Sequence, residues 1–160
     1  MGDSHNDALR VDFDRRIKLE FHSSTVTSDA GLLAYRELDD ALGLTSTAAS
    51  GLHDTRTGQN SQHSLVALLR QSIYSRLAGY EDVNDAERLR LDPTLRTVVG
   101  GRAKDNTAAS ASEMARFETG TLSTKENLKH LMDLSGWWID QAHQHRQLAK
   151  LILGMDSSVS

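Results

Sequence analysis

The chain has 160 residues, 38% of them hydrophobic and 25% charged, with a formal net charge of −4 and no cysteine. There is enough apolar material for one modest core, which argues against a wholly disordered chain. Disulfides, thiolate metal sites and a cysteine nucleophile are excluded, and the negative balance confines any nucleic-acid surface to a local patch. No apolar run approaches the ~20 residues of a membrane-spanning helix. The polar start MGDSHNDALR lacks the apolar stretch of a signal peptide. The expectation is a cytoplasmic protein with no membrane partner.

Residues 1–12 read as a polar, flexible arm. Over residues 16–22, Ile17, Leu19 and Phe21 alternate with Lys18, Glu20 and His22. That is the period of a half-buried strand. Ser28 and Asp29 offer the start of a helix with Leu32, Leu38 and Leu42 near one face and Gly43 as its stop. A short helix follows Ser46, and residues 58–61 read as a loop. The next helix, over 62–78, is stopped by Gly79. Another short one starts near Asn84. Pro93, the one proline, suits the first turn of a further helix, which Gly100 and Gly101 end. Residues 101–110 read as an exposed loop. Ser112 is placed to cap a short helix through Arg116. Ser123 and Glu126 have capping-box spacing. They open a long helix through Leu128, Leu131, Met132 and Leu134 to Trp138 and Ile139, with Gly136 as a weak point. Finally, residues 148–155 form a short β-compatible apolar run that reaches Asp156.

Two places could carry chemistry. An apolar strand ending in Asp156, followed by Ser157 and Ser158, fixes a carboxylate at a sheet edge. Hard oxygen there suits a divalent metal, and equally caps a turn. The second place is the helix around Arg70. Residues 56–80 hold three arginines, His63 and no acid, with Gln59, Asn60, Gln62 and Gln71 as amides able to read base edges. On a helical wheel, Leu65, Val66, Leu69, Ile73 and Leu77 make the buried face. His63, Arg70 and Tyr74 lie beyond its border. Such an outer side fits a DNA groove and also fits a solvated helix face. Arg76 falls inside the apolar stripe, where a charge needs a partner. The expected partner is one of Glu81, Asp82 and Asp85. His143 and His145 point to different sides of a helix, and His130 lies turns earlier, so a zinc site is not expected. Trp137 and Trp138 suit base stacking, although this pattern places at least one of them in the core.

The order of segments resembles the bacterial insertion-sequence transposases of the DDE-domain group 1 type. The run RLAGYEDVNDAERLRLDP, residues 76–93, carries the resemblance. SDAGLLAYRELDDALGL and QHSLVALLRQS precede it, and SEMARFE and LILGMDSSVS follow it, so the likeness extends from Phe13 onward. The resemblance implies a protein that cuts and joins DNA at the terminal inverted repeats of a mobile element. It implies a helical DNA-binding region followed by an RNase H-like domain whose first strand carries the first of three metal-binding acids. That acid would be Asp156, as both catalytic residue and ligand for Mg²⁺ or Mn²⁺. Two residues earlier, where the family usually shows a further Asp, this chain has Gly154.

The expected fold class is mainly α: a flexible arm over 1–12, a helical DNA-binding region over 13–146 with a short N-terminal strand, and over 147–160 the first strand of a truncated α/β catalytic domain. The resemblance puts the second Asp and the final Glu beyond Ser160, so the chain is expected to bind DNA at most and to hold no metal stably. Expected DNA contacts are Arg70, His63, Gln62 and Arg56. Expected partners are double-stranded DNA carrying the terminal inverted repeats, with full-length transposase or a second copy as further candidates. The expected location is the bacterial cytoplasm at the nucleoid. The rival readings are a helical interaction module that binds and inhibits full-length transposase, and a decayed gene product without function.

Overall fold

The computed structural model describes residues 9–19, 29–56 and 61–145. It is mainly helical. Two short strands, β1 (Leu9–Arg10) and β2 (Lys18–Leu19), pair antiparallel with Leu9 opposite Leu19. The helices are α1 (Leu32–Leu42), α2 (Leu44–Ser50), α3 (Leu65–Leu77), α4 (Ala86–Leu89), α5 (Pro93–Val99), α6 (Ala111–Arg116) and α7 (Lys125–His145). Tight 3₁₀ turns at Val83–Asp85 and Gly101–Lys104 and a π-type turn at Phe117–Leu122 link them. The strand expected over 16–22 is seen at Lys18–Leu19, and its partner comes from the stretch read as a polar arm. Val11, beside that partner, is buried. Glu37 of α1 accepts from the backbone N–H of Asp12 at 2.9 Å, and Arg36 stacks over the Phe13 ring. The run over 148–155 and Asp156 lie outside the described residues.

Helix ends follow local chemistry. Gly43 takes the left-handed conformation, φ +64°. It therefore ends α1 and starts α2 at once, a turn that a side chain would strain. The start of α1 is Gly31, without a side-chain cap. Ser64 caps α3 through the Ala67 N–H, and Asp92 caps α5 through the Leu95 N–H with Pro93 in the first turn. Two expected caps shift by a residue or two. Ser110, not Ser112, receives the Glu113 N–H. At α7 it is Thr124 whose hydroxyl accepts from Asn127, while the Ser123 hydroxyl turns back to the Thr119 carbonyl. Gly136 does not interrupt α7.

Two apolar clusters meet along α3. One gathers Leu52, Leu68, Leu69, Met114, Phe117 and Leu134. The other gathers Leu32, Tyr74, Leu89, Leu95, Val98 and Val99. With α2 and α5 both packed on it, α3 is enclosed nearly all round. Ala67 to Ser72 and Tyr74 are all buried. This corrects the wheel, which assumed one solvent face. Leu65, Val66 and Ile73 are only half-buried, and Leu77 is half-exposed. The expected exposed loop over 101–110 is also corrected, because Ala103, Ala108 and Ala109 are buried. Small side chains let this segment lie against the core, provided its backbone groups find partners.

Buried amides supply those partners. Gln71 donates to the Ala109 carbonyl and accepts from the Ala109 N–H, both at 2.8 Å. Asn127 accepts from the His53 N–H at 2.7 Å and donates to the His53 carbonyl at 2.9 Å. Each amide reads one residue's backbone as a neighbouring strand would. His130 donates through Nε2 to the Ala48 carbonyl at 3.0 Å, and its ring leaves no room for a Cβ on Gly51.

The Gln71→Leu substitution keeps most of the volume and leaves two backbone groups of Ala109 unpaired. The expected cost is about 1–3 kcal/mol for each such group, read as a lower urea midpoint. An unchanged midpoint would mean that the amide clamp contributes nothing.

Candidate functional site

The residues expected to touch DNA fall into two different environments. Arg70 lies on α3 and is buried. Its Nε donates to the Thr45 hydroxyl at 2.8 Å and to Asp39 at 3.2 Å, and it reaches Asp40 at 3.5 Å. The position beyond the apolar border is therefore not a solvent face but the junction of α3 with α1 and α2. His63, expected beside it on the same outer side, is buried elsewhere. Its Nδ1 faces both carboxylate oxygens of Glu113 at 3.0 Å, and its Nε2 faces the Thr107 carbonyl at 2.9 Å. His63 thus pins the start of α3 to α6 and to the segment before it. Tyr74 is buried as well.

Asp39 is the centre of the first environment. It accepts from the Thr45 N–H at 2.7 Å, the Thr45 hydroxyl at 2.5 Å and the Tyr74 hydroxyl at 2.8 Å, besides Arg70. Arg36 lies beside it, donating to Asp40 at 2.7 Å and to the Val98 carbonyl at 3.0 Å. Burial pushes the Asp39 carboxyl up, but the Thr45 and Tyr74 hydrogen bonds and the Arg70 charge outweigh it, and the group sits below the usual carboxylate range. Burial and the Asp39 charge push the Tyr74 phenol up. Burial and the Arg70 charge pull the Arg36 guanidinium down. Sequence reasoning missed Arg36 and Asp39. The signal was there: with Leu32 they fall on one helical stripe at i, i+4 and i+7.

Arg56 and Gln62 belong to the second environment. They line a cleft of ≈ 760 Å³ with Thr55, Ser61, Arg116 and Thr119. Arg56 donates to Asp54 at 2.7 and 2.8 Å and to the His63 carbonyl at 2.7 Å. Its hydrogen bond to Asp54 holds the guanidinium above its ordinary value. Gln62 is exposed. Arg116, at the end of α6, is exposed and makes no ion pair among the described residues. Sequence reasoning did not single it out. Glu113, the acid in the wall, is occupied by His63. The cleft offers cations, hydroxyls and an amide, a set that meets phosphate oxygens.

Arg76 pairs with Glu118, at 2.8 and 3.0 Å, and with the Ser72 hydroxyl. The expected partners Glu81, Asp82 and Asp85 are replaced because the π-type turn carries Glu118 over α3. The side chain is about half-exposed rather than inside an apolar stripe. The Arg76 hydrogen bond lowers the Glu118 carboxyl. Trp138 packs on the core and donates to the Leu44 carbonyl at 3.3 Å. Among the described residues no three His, Asp or Glu side chains come together around a possible metal, and no helix is long and apolar enough to cross a membrane.

A family model described as transposase DDE domain group 1 matches residues 9–160. The chain belongs to that family. No curated protein and no solved structure matches it.

The Asp39 carboxyl is lower in the fold than in the unfolded chain, so the unfolded chain takes up the proton first as pH falls. Its contribution is full above the ordinary carboxylate value of ~3.9 and is lost as pH drops through that value toward the lower folded one. Asp39→Asn should lower Tm at pH 7 and flatten the fall of Tm with acid relative to the parent chain. Arg70→Ala should cost about 3–5 kcal/mol, because it removes the cation that is hydrogen-bonded to buried Asp39 and leaves only Arg36, 3.8 Å away. Parallel Tm curves for Asp39→Asn and the parent chain would remove the carboxylate from this role.

Proposed function

We propose that this chain is the DNA-binding part of an insertion-sequence DDE transposase, acting at terminal inverted repeats, and that DNA meets it at the Arg56–Gln62–Arg116 cleft. The observation that carries the reading is family membership over residues 9–160. The cleft supports it, since it combines an unpaired surface cation among the described residues with hydroxyl and amide donors. In this reading Arg70 and His63 act on DNA indirectly. Arg70 holds α1 to α3, and His63 holds the Arg56 loop to α6. Such a protein would work at the bacterial nucleoid.

Proteins of this family generally use divalent metals. Asp156 is proposed as the first acid of the set, one of three that together would hold Mg²⁺ or Mn²⁺. It lies outside the described residues, and no metal-dependent step is assigned to the described part of the chain. Two-metal cleavage needs more than one carboxylate. These 160 residues alone should therefore leave a duplex carrying the inverted repeats intact in Mg²⁺ or Mn²⁺. Nicking that survives Asp156→Ala would sink the choice of acid.

Binding is measured by fluorescence anisotropy on that duplex across a salt series. With a negative net charge the binding should be local and moderate, and log K should fall as salt rises. Arg116→Glu should weaken it at least about tenfold at low salt without moving Tm. Arg70→Ala should lower Tm first. No binding at low salt, or binding indifferent to Arg116, would move the function to protein interaction.

A further inference from the structure

His63 is a buried titratable side chain whose contacts need one proton more than a neutral ring supplies. It is 3% exposed. Nδ1 faces the Glu113 carboxylate at 3.0 Å, and Nε2 faces the Thr107 carbonyl at 2.9 Å. A neutral imidazole has one N–H and one lone pair. The Thr107 carbonyl can only accept, and so can an ionised Glu113. Both contacts are hydrogen bonds only while the pair holds an extra proton, as imidazolium beside carboxylate or as imidazole beside a neutral carboxyl. Without it a lone pair faces an oxygen in a site where little water can intervene. The carboxylate is the stronger acceptor and keeps the remaining N–H, so the Thr107 carbonyl is the partner released.

The groups around the ring connect this proton to the cleft. Glu113 comes from α6 and lines the cleft with Arg56 and Arg116. Arg56, upstream of α3, donates to the carbonyl of His63 itself and feels the Glu113 charge, and Asp54 pairs with Arg56. The segment before α6 meets the ring through a backbone carbonyl, that of Thr107. We propose that the His63–Glu113 pair is a proton-operated latch on the Arg56 wall of the cleft, closed while the extra proton is bound and released when it leaves. Histidine is the side chain that ordinarily changes charge between about pH 5 and 8. Release has two effects. The segment before α6 loses its tie to the start of α3, and the pair gains a negative charge beside Arg56 and Arg116. The second effect rests on the cleft being the DNA surface; the first does not.

The test compares the full 160-residue chain with Glu113→Gln from about pH 5.5 to 9. The amide of the variant can donate to Nδ1 while the Nε2 N–H donates to Thr107, so it completes the same contacts around a neutral ring. In the parent chain, long-range ¹H–¹⁵N spectra should show Nε2 of His63 lose its proton as pH rises while Nδ1 keeps its own. Tm should step down over the same range, because a stabilisation that depends on a bound proton is lost on the alkaline side. DNA affinity at low salt should fall about threefold across that step, the order expected of one added charge near a phosphate. Both steps should be missing from Glu113→Gln. A His63 ring that keeps one protonation state throughout overturns the proposal, and so do parallel Tm profiles of the two chains. Should Glu113→Gln not fold, ring and Tm steps of the parent chain that fall at different pH overturn it instead. Affinity that stays level while ring and Tm step together overturns the coupling to the cleft. Absence of DNA binding at every pH removes the DNA reading, and the ring and Tm steps then decide the latch alone.

Discussion

One buried carboxylate organises this fold. Asp39 sits where α1, α2 and α3 meet, and each helix sends it a donor: Thr45 from α2, Arg70 and Tyr74 from α3, with Arg36 alongside from α1 itself. An ionised group in that position is tolerable only while its donors are in place, because the interior returns little of the lost hydration. The consequence is geometric more than energetic. Aligned apolar faces alone would let α1 slide against α3 with little loss. The Asp39 cluster makes every shifted register leave a charge without a partner, and Arg36 extends the constraint to α5 through the Val98 carbonyl.

The loops obey the same logic at lower charge. A short helical protein with few long elements exposes many backbone groups at helix ends and turns. Gln71 and Asn127 each take up both backbone groups of one loop residue, Ala109 and His53. His63 takes up the Thr107 carbonyl while holding Glu113. These polar side chains do the work that a sheet would do in another fold, and they allow Ala103, Ala108 and Ala109 to be buried.

Much of the element order was legible in the sequence because its signals are local. Gly43, Gly79, Pro93 with Asp92, and the long apolar pattern of α7 act within one or two turns. The family resemblance, spread over several separated segments, was legible too. The reading failed where the outcome depends on what lies across the core. A helical wheel sorts residues by side but cannot say that α3 has helices on every side. It therefore left Arg70 and His63 facing solvent, where each is in fact enclosed by partners 25 to 50 residues away in sequence. Arg76 went to the nearest acids in the chain, whereas the fold brings Glu118. Arg116 was passed over because nothing in its own neighbourhood marks a lone exposed arginine as the open cation of a cleft.

The cleft and the start of α7 are tied together by hydrogen bonds. Asn127, in the first turn of α7, grips the backbone of His53, and Thr55 and Arg56 just after it line the cleft. Thr121, at the end of the π-type turn into α7, lines the cleft and exchanges a hydrogen bond with Thr55. A shift of α7 would therefore pull on the Arg56 wall of the cleft through the Asn127–His53 and Thr55–Thr121 hydrogen bonds.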